Sequence, residues 1–209
     1  MIEPTIKRAI TFIDGQNLYR CAKDAFGYTY PNYDVIKLSA KICDSKSWNL
    51  HEVRFYTGVP TIEDDSFWHN FWALKLAVLG KRGAKVFSRP LRYHKKTINI
   101  PDYGDYTLMV GREKGIDIRI ALDAIRLFRE DKVDVIVIFS QDQDFTEVVK
   151  ELNAIAQESN TWIKVASAFP DSPYVSNCRG IDKTDWIRIP KELYDACIDP
   201  IDYRARLMR

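Results

Sequence analysis

Residues 133–145 read VDVIVIFSQDQDF, and the rest of the chain is organised around them. Val133, Val135, Ile136, Val137, Ile138 and Phe139 form a nearly unbroken β-branched and aromatic run, the pattern of a strand covered on both faces in the middle of a parallel sheet. Ser140, Gln141, Asp142, Gln143 and Asp144 interrupt the run, and residues 145–152 resume with helical spacing. Two carboxylates therefore fall where a strand hands over to a helix, the edge at which open α/β sheets bind ligands. Asp144 reads either as a cap accepting free helix N–H groups or as part of a site. Asp142 already lies in the turn beside a hydrophobic wall, where a second carboxylate is costly unless a cation compensates it.

The same design occurs near the N-terminus. Residues 9–13 are a short apolar run ended by Asp14 and Gly15, and Asn17, Leu18, Tyr19 and Ala22 begin a helical pattern. Gly15 lets the backbone turn tightly. Asn17 is either an N-cap or an amide that orients a carboxylate or water beside Asp14. A third acidic element end follows Arg112, Glu113, Lys114 and Gly115, where Asp117 opens a helix that is apolar nearly all round and is expected to be buried. Asp117 serves there as an N-cap or as a site residue. Asp123, inside the same helix, needs a partner, and Arg119 or Arg126 can supply one as a helix pair.

Further strands are expected at residues 52–56, 84–88, 162–167 and 186–189, and helices at 35–42 and 66–79. The aromatics of the second helix read as core. Residues 97–111 are expected to form a hairpin or loop, and 170–180 a loop with a short helix. Strands alternating with helices imply an α/β fold with a central, mainly parallel sheet and right-handed crossovers. Residues 1–190 are expected to form one domain, followed by a helical tail at 191–209.

A chain of 209 residues, 46% of them hydrophobic, can bury a full core. The first apolar run ends in Asp14 rather than in a small-residue cleavage site, and no stretch approaches membrane-spanning length, so a cytoplasmic protein with no membrane partner is expected. Cys21, Cys43, Cys178 and Cys197 form no CxxC pair, and His51, His69 and His94 are dispersed. This argues against a transition-metal site and in favour of a hard cation held by oxygen. Net charge is only +2, yet residues 81–96 hold seven Lys or Arg and no acid. Phe87, Tyr93 and His94 are interleaved with Arg89, Arg92, Lys95 and Lys96, which suits a surface meeting phosphates and stacked bases. The alternative is an ordinary solvated face.

If the three element ends share one edge of the sheet, Asp14, Asp117, Asp142 and Asp144 converge, and Mg²⁺ or Mn²⁺ is the natural occupant of the cleft. FIDGQNLY at residues 12–19, KGID at 114–117 with Asp123 after it, and SQDQDF at 140–145 resemble the three signature blocks of NYN domains, the LabA-like branch of the PIN-like nuclease superfamily. The resemblance implies a three-layer PIN-like sandwich and metal-dependent hydrolysis of RNA phosphodiesters. Asp14, Asp117 and Asp142 would hold the metal, and Asn17 and Asp144 would support them. Lys114 either touches the scissile phosphate or is a plain surface lysine, and the basic segment would hold the RNA strand, single-stranded in preference. A homo-oligomer stands among the expectations. The family commonly reads S-G-D where this chain has Ser140, Gln141 and Asp142. The rival from another class is a non-catalytic regulatory module that keeps the NYN fold and binds RNA or protein. A dehalogenase-like phosphatase would match Asp142 to Thr146 but needs more chain downstream, and a DxD glycosyltransferase leaves Asp14 unexplained.

Overall fold

The computed structural model describes residues 1–101 and 103–204. Its elements in order are β1 (Arg8–Asp14), α1 (Gly15–Phe26), α2 (Val35–Ser45), β2 (Asn49–Val59), α3 (Ser66–Lys81), β3 (Lys85–Pro90), β4 (Arg92–Ile100), β5 (Gly104–Arg112), α4 (Ile116–Arg129), β6 (Val135–Phe139), α5 (Phe145–Glu158), β7 (Lys164–Pro170), β8 (Asp185–Ile189) and α6 (Lys191–Asp195). Six strands form one parallel sheet in the order β3-β2-β1-β6-β7-β8. All five residues of β6 are buried, as its apolar run requires of a strand covered on both sides.

Side-chain alternation along the central strands sorts the core into two layers. Ala9 and Ile13 of β1, with Val135, Val137 and Phe139 of β6, meet α1, α2 and α3 on one face. Ile10 and Phe12, with Ile136 and Ile138, meet α4 and α5 on the other. The result is a three-layer α/β sandwich. Sequence order runs outward from β1 to β3 in one direction and from β6 to β8 in the other. The topological switch point therefore lies between β1 and β6, where a crevice opens beyond the strand ends.

Gly15 leaves no side chain in the way at the turn: a Cβ there would come within 2.6 Å of the Phe55 ring, so the glycine serves close packing of α1 on β2. Other local expectations are corrected. Helix α4 is amphipathic rather than wholly buried, with Ile118 and Leu122 65% and 58% exposed. Its apolar outer positions did not distinguish core from surface. Among the described residues no helix forms between β7 and β8. The stretch 97–111, expected as a hairpin or loop, does belong to an antiparallel hairpin, β4 and β5, which makes a separate two-stranded sheet.

The chain after β8 packs against the main body: Tyr194, Cys197 and Tyr203 are buried in the α1–α3 layer. Lys75 of α3, fully buried, donates to the carbonyl of Tyr33 at 2.8 Å and to Asp199 at 3.1 Å. Its ammonium also lies near the rings of Tyr33 and Tyr203. Burial lowers its pKa, opposed by the Asp199 charge. Residues 205–209 of the expected tail lie outside the described residues. Among the described residues no helix is long and apolar enough to cross a membrane.

Candidate active site

At the switch point, β1 ends in Asp14, and Ile13 pairs with Phe139, the last residue of β6. Asp14, on the α4 and α5 side by alternation, is only 9% exposed. It is itself the N-cap of α1, accepting from the Asn17 backbone N–H at 3.0 Å. Asn17 is therefore not the cap. Its side-chain Oδ1 instead accepts from the Gln141 backbone N–H at 3.1 Å, tying α1 to the turn after β6.

In that turn Asp144 occupies the N-cap position of α5. Asp142 Oδ1 accepts from the Asp144 N–H at 3.0 Å, while Asp144 stands at the helix start without any side-chain cap bond. A preference scale ranks residue types, not which of two neighbouring aspartates will turn inward. Helix α4 is reassigned: its N-cap is Gly115, held at φ 77° in the left-handed region, and not Asp117. Asp117 lies in the first turn with an exposed carboxylate, where the helix dipole favours negative charge.

Asp14, Asp117, Asp142 and Asp144 line one cavity of about 300 Å³ together with Gln16, Asn17, Arg20, Arg112 and Glu113. Burial, reinforced by the charges of Asp117 and Asp142, pushes the Asp14 carboxyl up to about 6, against the Asn17 hydrogen bond. Glu113 is pushed up to about 7, chiefly by burial and further by Asp14 and Asp117, although it accepts from the Gly58 N–H. Sequence reading missed Glu113, Arg20 and Arg112. Their only signal was adjacency to KGID and to the first helix, which carries no chemistry until the chain is folded.

The other expected residues are placed as follows. Lys114 is exposed and lies outside the cavity lining. Arg89 stacks on Phe87, 5.4 Å from the ring centroid, and lies against Gly115 at the rim. Arg92, Lys95 and Lys96 are exposed on β4. They do not form one patch, because pleating sends Arg92 and Lys96 to one face of the hairpin and Lys95 to the other. Arg92 pairs with Arg112, which lines the acidic cavity, so the Arg92 end of that face adjoins it. Asp123 is withdrawn from it altogether. This buried carboxylate accepts from Tyr56 at 2.9 Å and is paired with Arg54, Arg119 and Arg126.

The oxygen-only acid set fits a hard divalent cation in its chemistry, and the raised Asp14 pKa is what burial, reinforced by neighbouring carboxylates, produces. Among the described residues, no three His, Cys, Asp or Glu are gathered closely enough to hold one ion. Cys21 offers no nucleophile. Its thiol is pushed up to about 12 by burial and hydrogen-bonds Gln141 and Asn17.

A crystal structure of a protein of unknown function from Vibrio parahaemolyticus resembles the fold, with TM-score 0.52 and 19% identity over 92% of this chain and 98% of that one. No curated protein matches the sequence. The NYN domain family profile matches residues 8–173, which takes in β1, the acidic cavity and β7, and the chain therefore belongs to the NYN domain family, with the α/β sandwich of PIN-like nucleases.

Proposed function

We propose that this protein is a metal-dependent endoribonuclease that hydrolyses RNA phosphodiester bonds at the acidic cavity. The observation supporting this most directly is the buried Asp14, whose ionisation is opposed by Asp117 and Asp142 in a single cavity at the switch point. Asp14, Asp117 and Asp142 would hold Mg²⁺ or Mn²⁺, with Asp144 beside them. Such an ion, when bound, supplies charge stabilisation to a phosphoryl centre and eases deprotonation of water. Arg20 and Arg112 line the same cavity and offer their guanidinium groups to phosphate oxygens. Glu113, raised to about 7, holds a proton that it can exchange near neutrality at its carboxyl oxygen. The Arg92 and Lys96 face of the hairpin holds the RNA strand, and Asn17 fixes the distance between the two acidic turns. We place this activity in the cytoplasm.

The test is cleavage of mixed RNA and DNA substrates with Mn²⁺ and with chelator, comparing wild type with Asp14→Asn and Asp142→Asn. Metal-dependent RNA cleavage that falls by orders of magnitude in both folded variants supports the reading. Variants as active as wild type would assign the activity elsewhere. An inactive wild type that still binds RNA would favour a non-catalytic RNA-binding module.

A further inference from the structure

The cleft continues beyond the acids. On the α1 side of Asp142, a second cavity of about 640 Å³ shares Asn17 and Asp142 with the acidic one. Its size falls within the range of about 300–1,000 Å³ typical of ligand pockets. One wall is α1, which contributes Asp24, and the opposite wall is the segment after β7, which contributes Tyr174. Resting on the ribonuclease reading, we propose that this cavity is a nucleobase subsite for an unpaired RNA residue next to the scissile bond, and that it selects guanine.

Two glutamines hold the wall in place. Gln141 Nε2 donates to the carbonyls of Asn177 and Arg179 at 3.1 and 2.8 Å. Gln143 Nε2 donates to the Gly180 carbonyl at 3.0 Å, and its Oε1 accepts from the Asp182 N–H at 3.2 Å. A segment with no regular structure is thus fastened to the same turn that carries Asp142. Any base held against it has a fixed position relative to the acidic cavity. Tyr174 is 93% exposed at the lip, so its ring face is free to stack on a base. Asp24 is also exposed, and no hydrogen bond or ion pair engages its carboxylate among the described residues.

A free carboxylate across the cavity from a stacking ring discriminates among bases by their edges. Guanine presents two adjacent donors, N1–H and the N2 amino group, which match the two oxygens of a carboxylate. Adenine and cytosine each present one amino donor, and uracil places carbonyls on both sides of its single N–H. A carboxylate accepts but cannot donate, so it attracts the first edge and repels the last. The hairpin, by contrast, adjoins the cavity through Arg112 on the other side of the acids. It contacts the backbone and is indifferent to sequence.

The experiment uses two RNA heptamers, UUUGUUU and UUUUUUU, binding to the full chain in chelator, where no metal-dependent cleavage intervenes. Wild type should prefer the guanine-containing RNA about tenfold, as one bidentate base contact allows. Asp24→Asn should erase that preference and raise the affinity for the uridine heptamer, because a repulsive charge has been removed. Tyr174→Ala should weaken both, with no change in melting temperature. Equal binding of the two RNAs by wild type, binding of neither, or a preference that survives Asp24→Asn overturns the proposal. The two readings fail separately: guanine preference without Mn²⁺-dependent cleavage removes the ribonuclease and keeps the subsite. Cleavage without base preference does the reverse.

Discussion

Replacing Asp14 by Asn should make the metal-free protein more stable at neutral pH. In the folded protein the Asp14 carboxyl has its pKa raised from 3.8 to about 6, first by burial and then by Asp117 and Asp142. The folded state thus binds this proton more tightly than the unfolded chain does. The contribution to stability is fully present below about pH 4 and is lost as pH rises through about 6. By neutrality the ionised carboxylate disfavours folding by about 3 kcal/mol. Asn retains the cap acceptor for the Asn17 N–H, since Asn and Asp cap comparably, and sheds the charge. Part of the gain is offset by burying an amide, so a net stabilisation of about 1–3 kcal/mol is expected at pH 7, on the order of 5 °C in melting temperature. Denaturant titrations of both proteins in chelator, from pH 4 to 8, measure it. The difference should vanish near pH 4 and grow to its full value by pH 7. A variant less stable than wild type at pH 7, or an advantage equally large at pH 4, would refute the electrostatic account of this site.

Saturating Mg²⁺ or Mn²⁺ should reverse that order, because binding to the folded state alone contributes about 4.1 kcal/mol at a concentration of 1,000 Kd; an unmoved wild-type melting curve counts against the acids as metal ligands. Single-stranded RNA affinity should fall with salt, and Arg92→Ala or Lys96→Ala should each shallow the log–log slope by about 1. Lys95→Ala, on the opposite face of the hairpin, should leave the slope unchanged, and equal effects at all three positions would dismiss the facial distinction. Asp123→Ala should destabilise the fold by about 3–5 kcal/mol by leaving Arg54 and its neighbours without their buried partner. A variant of wild-type stability but lost activity would instead assign Asp123 a part in the site.

The two strand-to-helix turns after β1 and β6 were legible in the sequence because each couples two short-range signals. An apolar run specifies a covered strand, and a carboxylate directly after it must lie at the strand's end whatever the tertiary arrangement. Asp14, Asp142 and Asp144 follow from that logic, as does the parallel sheet, since strands alternating with helices leave few other ways to cover both faces. The sequence could not decide which carboxylate faces which neighbour. Asp123 and Asp117 sit on one helix, six positions apart; helix spacing offered Asp123 its Arg119 and Arg126 partners but not its burial. Burial against Tyr56 and Arg54 of β2 makes one an internal counter-ion, while the helix start leaves the other open to the cavity. Glu113 acquires its raised pKa only because β5 returns it to β2, where burial and then the Asp14 charge raise it against the hydrogen bond it accepts from Gly58. The basic run 81–96 was visible as charge, but charge is additive along a chain and pleating is not. Only pairing in the β4–β5 hairpin divides Arg92 and Lys96 from Lys95, because side-chain direction is set by hydrogen-bond register with a partner strand rather than by composition.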